Sequence, residues 1–156
     1  MADTPQAAPA PAQMSFSVKA QYVKDLSFEI PHAPDIFRRL TQSPAVTVNI
    51  DVNARPLPTA NEYEIVLSIN VKAEREGEEI FVVELSYGAV FEAVNIPKEA
   101  LQPALLIEAP RLIFPFARAI VADLTRESSL PPLLIQPIDF VQLYQQKLGA
   151  QTAGQA

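Results

Sequence analysis

The stretch Phe16-Ser17-Val18-Lys19-Ala20-Gln21-Tyr22-Val23-Lys24-Asp25-Leu26-Ser27-Phe28-Glu29-Ile30 decides how the chain is read. Its even positions, Phe16, Val18, Ala20, Tyr22, Lys24, Leu26, Phe28 and Ile30, are apolar or long-stemmed. Its odd positions are mostly polar and end in Asp25, Ser27 and Glu29. Strict alternation predicts a strand with one face on a core and the other turned outward. The acidic row at its end serves either solubility or docking. Pro31-His32-Ala33-Pro34 breaks the strand.

Outward from that strand, composition narrows the class. A chain of 156 residues is expected to form one domain that buries roughly two thirds of its unfolded surface. The net charge of −6 and the lack of a Lys/Arg run argue against nucleic acid. There is no cysteine, so neither a disulfide framework nor a Cys-based metal site is available. The start has no basic stretch followed by an apolar one, and no apolar run approaches the ~20 residues that span a bilayer, so the expected location is cytoplasmic. Residues 1–14, rich in Ala, Pro and Gln, read as a disordered tail, residues 15–148 as a single domain, and residues 149–156 as a second disordered tail.

Further alternation places strands at Val46–Val52, Tyr63–Ala73 and Ile80–Glu92. The charged turn Glu74–Glu79 contains Gly77 for a positive φ. Short connections favour an antiparallel sheet, and the long, proline-broken link between the first two strands suits a crossover. That link carries the apolar residues Ile36, Phe37 and Leu40. The fourth strand is apolar on both rows, so it is central under two layers or offers a face to a partner.

The second half is helical. A short helix is expected over Pro97–Leu106, with Pro103 ending it. A longer one over Pro110–Arg126 is expected to break or kink at Pro115. Its residues Leu112, Ile113, Phe116, Ile120, Val121 and Leu124 belong to an apolar arc of roughly 200°, more than one packed face requires. The excess points to a second subunit. After the apolar run Leu130–Ile135, a last helix begins near Asp139 as its cap. The fold class is therefore α+β.

Catalytic chemistry is poorly supplied. The only histidine, His32, lies between prolines and reads as a loop residue. Carboxylate pairs such as Glu62/Glu64 are expected on solvated faces with nothing to perturb them. No phosphate loop, nucleophile elbow or metal-binding helix motif is present. An enzyme or apolar-ligand carrier would need a pocket with convergent polar groups, and the sequence nominates none.

Five segments together resemble the SecB protein-export chaperone family: Tyr22 to Pro34, Tyr63-Glu64-Ile65-Val66-Leu67, Gly88-Ala89-Val90-Phe91, Ile113 to Arg118, and Pro137-Ile138-Asp139-Phe140. They occur in order over about residues 14–149. The resemblance implies a four-stranded antiparallel sheet with a long helix and a short C-terminal helix on one face, assembled as a homotetramer, a dimer of dimers. It implies a cytosolic holdase, not an enzyme. Such a protein binds unfolded precursor proteins and delivers them to the motor SecA, without nucleotide, metal or other cofactor. The positions matching the family's SecA-docking face are Asp25, Glu29, Val82 and Glu84. Those implied for the client groove are Phe37, Val46, Val48, Phe140, Leu143 and Tyr144. Those implied for the oligomer interface are Ile113, Phe116, Ile120, Val121 and Leu124. The alternative is a SecB-like polypeptide-binding module serving a dedicated partner such as an antitoxin, without SecA delivery.

Overall fold

The computed structural model describes residues 12–154. Most of the expected N-terminal tail, and the last two residues, lie outside them. The strands are β1 (Ser15–Glu29), β2 (Ala45–Pro56), β3 (Glu62–Arg75) and β4 (Glu78–Val94). They form one antiparallel sheet in the order β1-β4-β3-β2. β1 and β2 are therefore opposite edges, and their connection crosses the whole sheet, carrying the short helix α1 (Ile36–Arg39). The sheet turns one face, here called inner, toward the helices. Ile65, Leu67, Ile69, Val83, Leu85 and Phe91 lie on it, each at most 1% exposed.

β2 continues through Asn53–Pro56, where a loop was expected, because Asn53 to Pro56 still pair with Val66 to Tyr63. The larger correction concerns β1, whose alternation is not strict. Residues directly opposite one another on paired strands share a face. Phe16 and Val18 oppose Ala93 and Phe91 on the inner face, as expected. The register then shifts at Lys19, so Gln21 and Val23 oppose Ala89 and Tyr87 on that face while Ala20 and Tyr22 turn outward. A second shift at Lys24 returns Leu26 and Phe28 to the inner face, opposite Leu85 and Val83. Each bulge adds one residue and reverses the facing of every later residue in the strand, so two restore it.

The helical half also differs from expectation. The segments α2 (Lys98–Pro103), a π-helical turn (Ala104–Glu108) and α3 (Ala109–Glu127) run on without interruption. Neither Pro103 nor Pro115 ends the run. In a regular helix a proline ring collides with the carbonyl four residues back. Ahead of Pro110 the backbone takes a wide turn instead, with the Ala109 N–H reaching the carbonyl of Ala104. Pro115 and Arg111, whose carbonyl loses its helical partner to the proline, are both exposed in the single chain.

The inner side of α3 packs on β3 and β4 through Ile113, Ala117 and Val121, all 0% exposed. Helix α4 (Phe140–Ala153) is capped by the Asp139 carboxylate, which accepts the Gln142 N–H at 3.0 Å. Its Phe140 ring meets Phe114 edge-on at 5.9 Å. The helix runs through residues 149–153, where a polar tail was expected, and those residues are exposed along it.

Candidate functional site

Three surfaces concern function. The first is the outer face of the sheet. Asp25 opposes Ser86, Ser27 opposes Glu84 and Glu29 opposes Val82, so Asp25, Glu29, Val82 and Glu84 all share that face. Asp25, Glu29 and Glu84 are exposed, and Val82 is half-buried between them. Among the described residues these three carboxylates enter no ion pair. Elsewhere on the same face Lys19 lies 3.1 Å from Glu92, and Lys72 lies 2.8 and 3.2 Å from Glu74 and Glu79, while Glu62, opposite Glu92, enters no ion pair among the described residues. Three free carboxylates thus cluster at the end of β1, with Glu62 at the other end of the face.

Glu64, on the same outer face, behaves quite differently from a solvated acid. It is 7% exposed, and it is the only charged side chain among the buried residues described. Tyr22 donates its hydroxyl proton to one oxygen at 2.7 Å, Lys24 donates to the other at 2.5 Å, and Arg55 reaches both at 3.3 Å. The Lys24 ammonium, followed by the Tyr22 hydroxyl, holds the carboxyl down at about 2, against the opposing effect of burial. Burial, and then the Glu64 carboxylate, push the Tyr22 phenol up to about 12. Gly88 makes this possible. A Cβ there would come within 2.4 Å of the Tyr22 ring, which lies across β4 to reach β3.

The second surface is a groove of about 500 Å³ between the crossover connection and the segment after α3. Phe37, Leu40, Val46, Phe81, Leu130 and Leu133 supply its apolar lining. Two contacts fix its far wall. The buried Thr125 hydroxyl accepts the Leu133 N–H at 2.9 Å while donating to carbonyls of its own helix, and the Arg118 guanidinium donates to the Ile135 carbonyl at 2.7 Å. The near wall is tied by the bidentate pair of Arg39 with Glu78, both bonds 2.9 Å.

A smaller groove of about 270 Å³ lies between α4 and the edge strand β2, lined by Val52, Leu106, Leu143 and Tyr144 among others. Lys147 closes it, donating to the Val52 carbonyl at 2.5 Å and to Asn53 at 3.3 Å.

The structure divides the expected client residues. Phe37 and Val46 line the larger groove, Leu143 and Tyr144 the smaller. Val48 is half-buried against the core and lines neither, and Phe140 is a core residue at 2% exposure. Sequence reading missed Leu40, Phe81 and Leu133 as lining residues, although the run Leu130–Ile135 had signalled spare apolar surface. Lys147 gave no signal at all.

The third surface is the outward side of α3. Of the residues assigned to a subunit interface, Ile113 and Val121 are spent in the chain's own core. Ile120 and Leu124 are half-buried. Phe116 is 51% exposed and Leu112 beside it 52%. His32 sits in the loop after β1, 3.8 Å from a Glu78 oxygen that is already paired with Arg39 at 2.9 Å. Among the described residues no cluster of His, Cys, Asp or Glu is able to hold a metal ion, and no helix is long and apolar enough to cross a membrane.

Comparison with known proteins agrees with this arrangement. The family model described as preprotein translocase subunit SecB matches residues 9–151. A protein-export protein SecB of Granulibacter bethesdensis is 53% identical over 141 residues, covering 86% of this chain and 82% of the relative. The corresponding protein of Bradyrhizobium diazoefficiens is 48% identical over 154 residues, covering 97% and 93%. In fold the chain is similar to a SecB-like chaperone of Mycobacterium tuberculosis, solved with a ChAD peptide from an antitoxin. The TM-score is 0.66 and the identity 16%, covering 79% of this chain and 90% of that one. Sheet order, helix placement and the extent of these matches lead to one conclusion: the chain belongs to the SecB family of protein-export chaperones.

Proposed function

We propose that this chain is a cytosolic holdase that binds unfolded precursor proteins and delivers them to SecA through the acidic end of its outer sheet face. The observation that carries the delivery step is the set of three unpaired carboxylates, Asp25, Glu29 and Glu84, around the half-buried Val82. An open acidic patch with an apolar centre suits a basic partner segment, since charge steers the encounter and the apolar contact slows release. The two grooves lie on the helix side and at the edge of the sheet, away from that patch, so client and motor would not compete. Binding of extended chain rests on apolar burial at roughly 25 cal/mol per Å². The client's ordering entropy makes many weak contacts necessary.

Assembly belongs to the same reading. Leu112 and Phe116 on α3, with Val18, Val23 and Leu26 on the inner row of β1, leave apolar surface exposed in the single chain. A homotetramer would cover it, as large apolar patches on a monomer mark interfaces.

The reading is tested with Asp25→Lys/Glu29→Lys. Suppression of aggregation of a slowly refolding precursor is expected to survive, while SecA affinity falls at least tenfold, as for the loss of about 1.4 kcal/mol of charge pairing. Unchanged SecA affinity would favour the second reading, a module for a dedicated partner such as an antitoxin. That reading is supported by the antitoxin peptide bound to the structural neighbour.

A further inference from the structure

The acidic end of β1 is placed by a register that the strand's own sequence does not favour. A β1 without bulges would keep the alternation of residues 16–30 and leave no residue out of the ladder. Counted on from Ser15 opposite Val94, such a strand would set Asp25 opposite Glu84 and Glu29 opposite Ile80. The two bulges offset it by two residues, so that Ser27 opposes Glu84 and Glu29 opposes Val82. The residues extruded at the two shifts, Lys19 and Lys24, are both lysines that reach outer-face carboxylates: Glu92 at 3.1 Å and Glu64 at 2.5 Å.

We propose that Glu64 is a positioning residue: by gripping Tyr22 and Lys24 on either side of Val23, it holds β1 in the twice-bulged register that sets Glu29 beside Val82 and Ser27 beside Glu84. Glu64 is on β3, which does not pair with β1, so its bonds bridge over β4. Its carboxylate is desolvated, where each charge-assisted hydrogen bond counts for more than it would in water. Gly88, opposite Tyr22 on β4, lies under the Tyr22 ring, and any Cβ there would block the bridge. Arg55 on β2 completes the set, so one carboxylate ties both edge strands to the centre. If Glu64 is lost, Lys24 loses its partner. The slip that turns Tyr22 inward is then opposed only by the repulsion between Asp25 and Glu84 and by the cost of turning the Lys24 ammonium toward Leu85 on the inner face, no longer by Glu64. The consequence for docking rests on the SecA reading above; the register itself does not.

Because the chain lacks cysteine, engineered pairs report register directly. Ser27→Cys/Glu84→Cys joins residues opposite one another in the observed register, and Asp25→Cys/Glu84→Cys joins those that an unbulged strand would oppose. Oxidation rates of the two pairs are compared with Glu64 intact, with Glu64→Gln and with Tyr22→Phe. With Glu64 intact the first pair closes faster. In Glu64→Gln the ratio of the two rates is expected to fall about tenfold, the factor carried by one charge-assisted hydrogen bond. Tyr22→Phe is expected to give an intermediate fall, and it carries the test alone if Glu64→Gln does not fold. A general loss of stability would slow or speed both pairs together and leave the ratio unchanged, which would overturn the proposal. A shifted ratio with SecA affinity unchanged would support the role in register and count against the docking reading alone.

Discussion

At the scale of single residues, Glu64 shows how burial changes the meaning of a carboxylate. In sequence it reads as half of a solvated pair with Glu62, yet in the fold three cationic or hydroxyl donors converge on it. Its folded pKa, about 2, lies below the ordinary 4.5. The contribution to stability is therefore fully present above pH 4.5 and is lost as pH falls toward 2, an amount of about 3 kcal/mol at most. The expected outcome is a difference in unfolding free energy between the native chain and Glu64→Gln that is largest near neutrality and shrinks across that window. Denaturant titrations at a series of pH values measure it. A difference that stays constant between pH 6 and about pH 2.5 would contradict the assigned cause.

At the scale of elements, the segment after α3 shows how an irregular stretch becomes a fixed wall. Residues 128–139 form no helix or strand, yet Leu130 and Ile135 are buried. Thr125 makes this possible, satisfying its own hydroxyl on the Val121 and Ala122 carbonyls and accepting from Leu133. Thr125→Val keeps the shape but strands the Leu133 N–H, at an expected cost of about 1–3 kcal/mol. It should also loosen the larger groove. Chemical denaturation checks the first effect, and proteolysis between Leu130 and Gln136 checks the second; protection equal to that of the native chain would show that the bond carries little. The run from Lys98 to Glu127 makes a related point. Prolines at 103 and 115 predicted breaks from local sterics, yet one continuous element runs through both, with a π turn ahead of Pro110.

At the scale of the whole molecule, the exposed residues divide by purpose. The outer sheet face is polar except around Val82, Val66 and Val90, whereas the outward side of α3 and the inner row of β1 are apolar and open. A tetramer by native mass spectrometry is the expected state. Leu112→Asp/Phe116→Asp is expected to reduce it to a smaller species while leaving the circular dichroism of the chain unchanged, because both side chains point away from its own core. An unaltered mass would remove α3 from the interface. Precursor holding by the smaller species would then show whether each groove works within one chain or needs two.

The sequence by itself determined the elements that alternation and capping encode locally: four strands, the Asp139 cap, the crossover and the acidic row at the end of β1. It also carried the family resemblance, because that resides in contiguous motifs. What only the tertiary structure decided depends on residues distant in the chain. The two bulges in β1 are invisible in its alternation because their effects on facing cancel, and the carboxylate that grips the strand is some 40 positions away. Likewise an apolar arc on a helix does not say which half its own sheet will cover. Ile113 and Val121 went to the core and Leu112 and Phe116 to the surface because the sheet covers only one side of α3. Periodicity reports that a side chain must be buried; only the packing of distant segments decides against what.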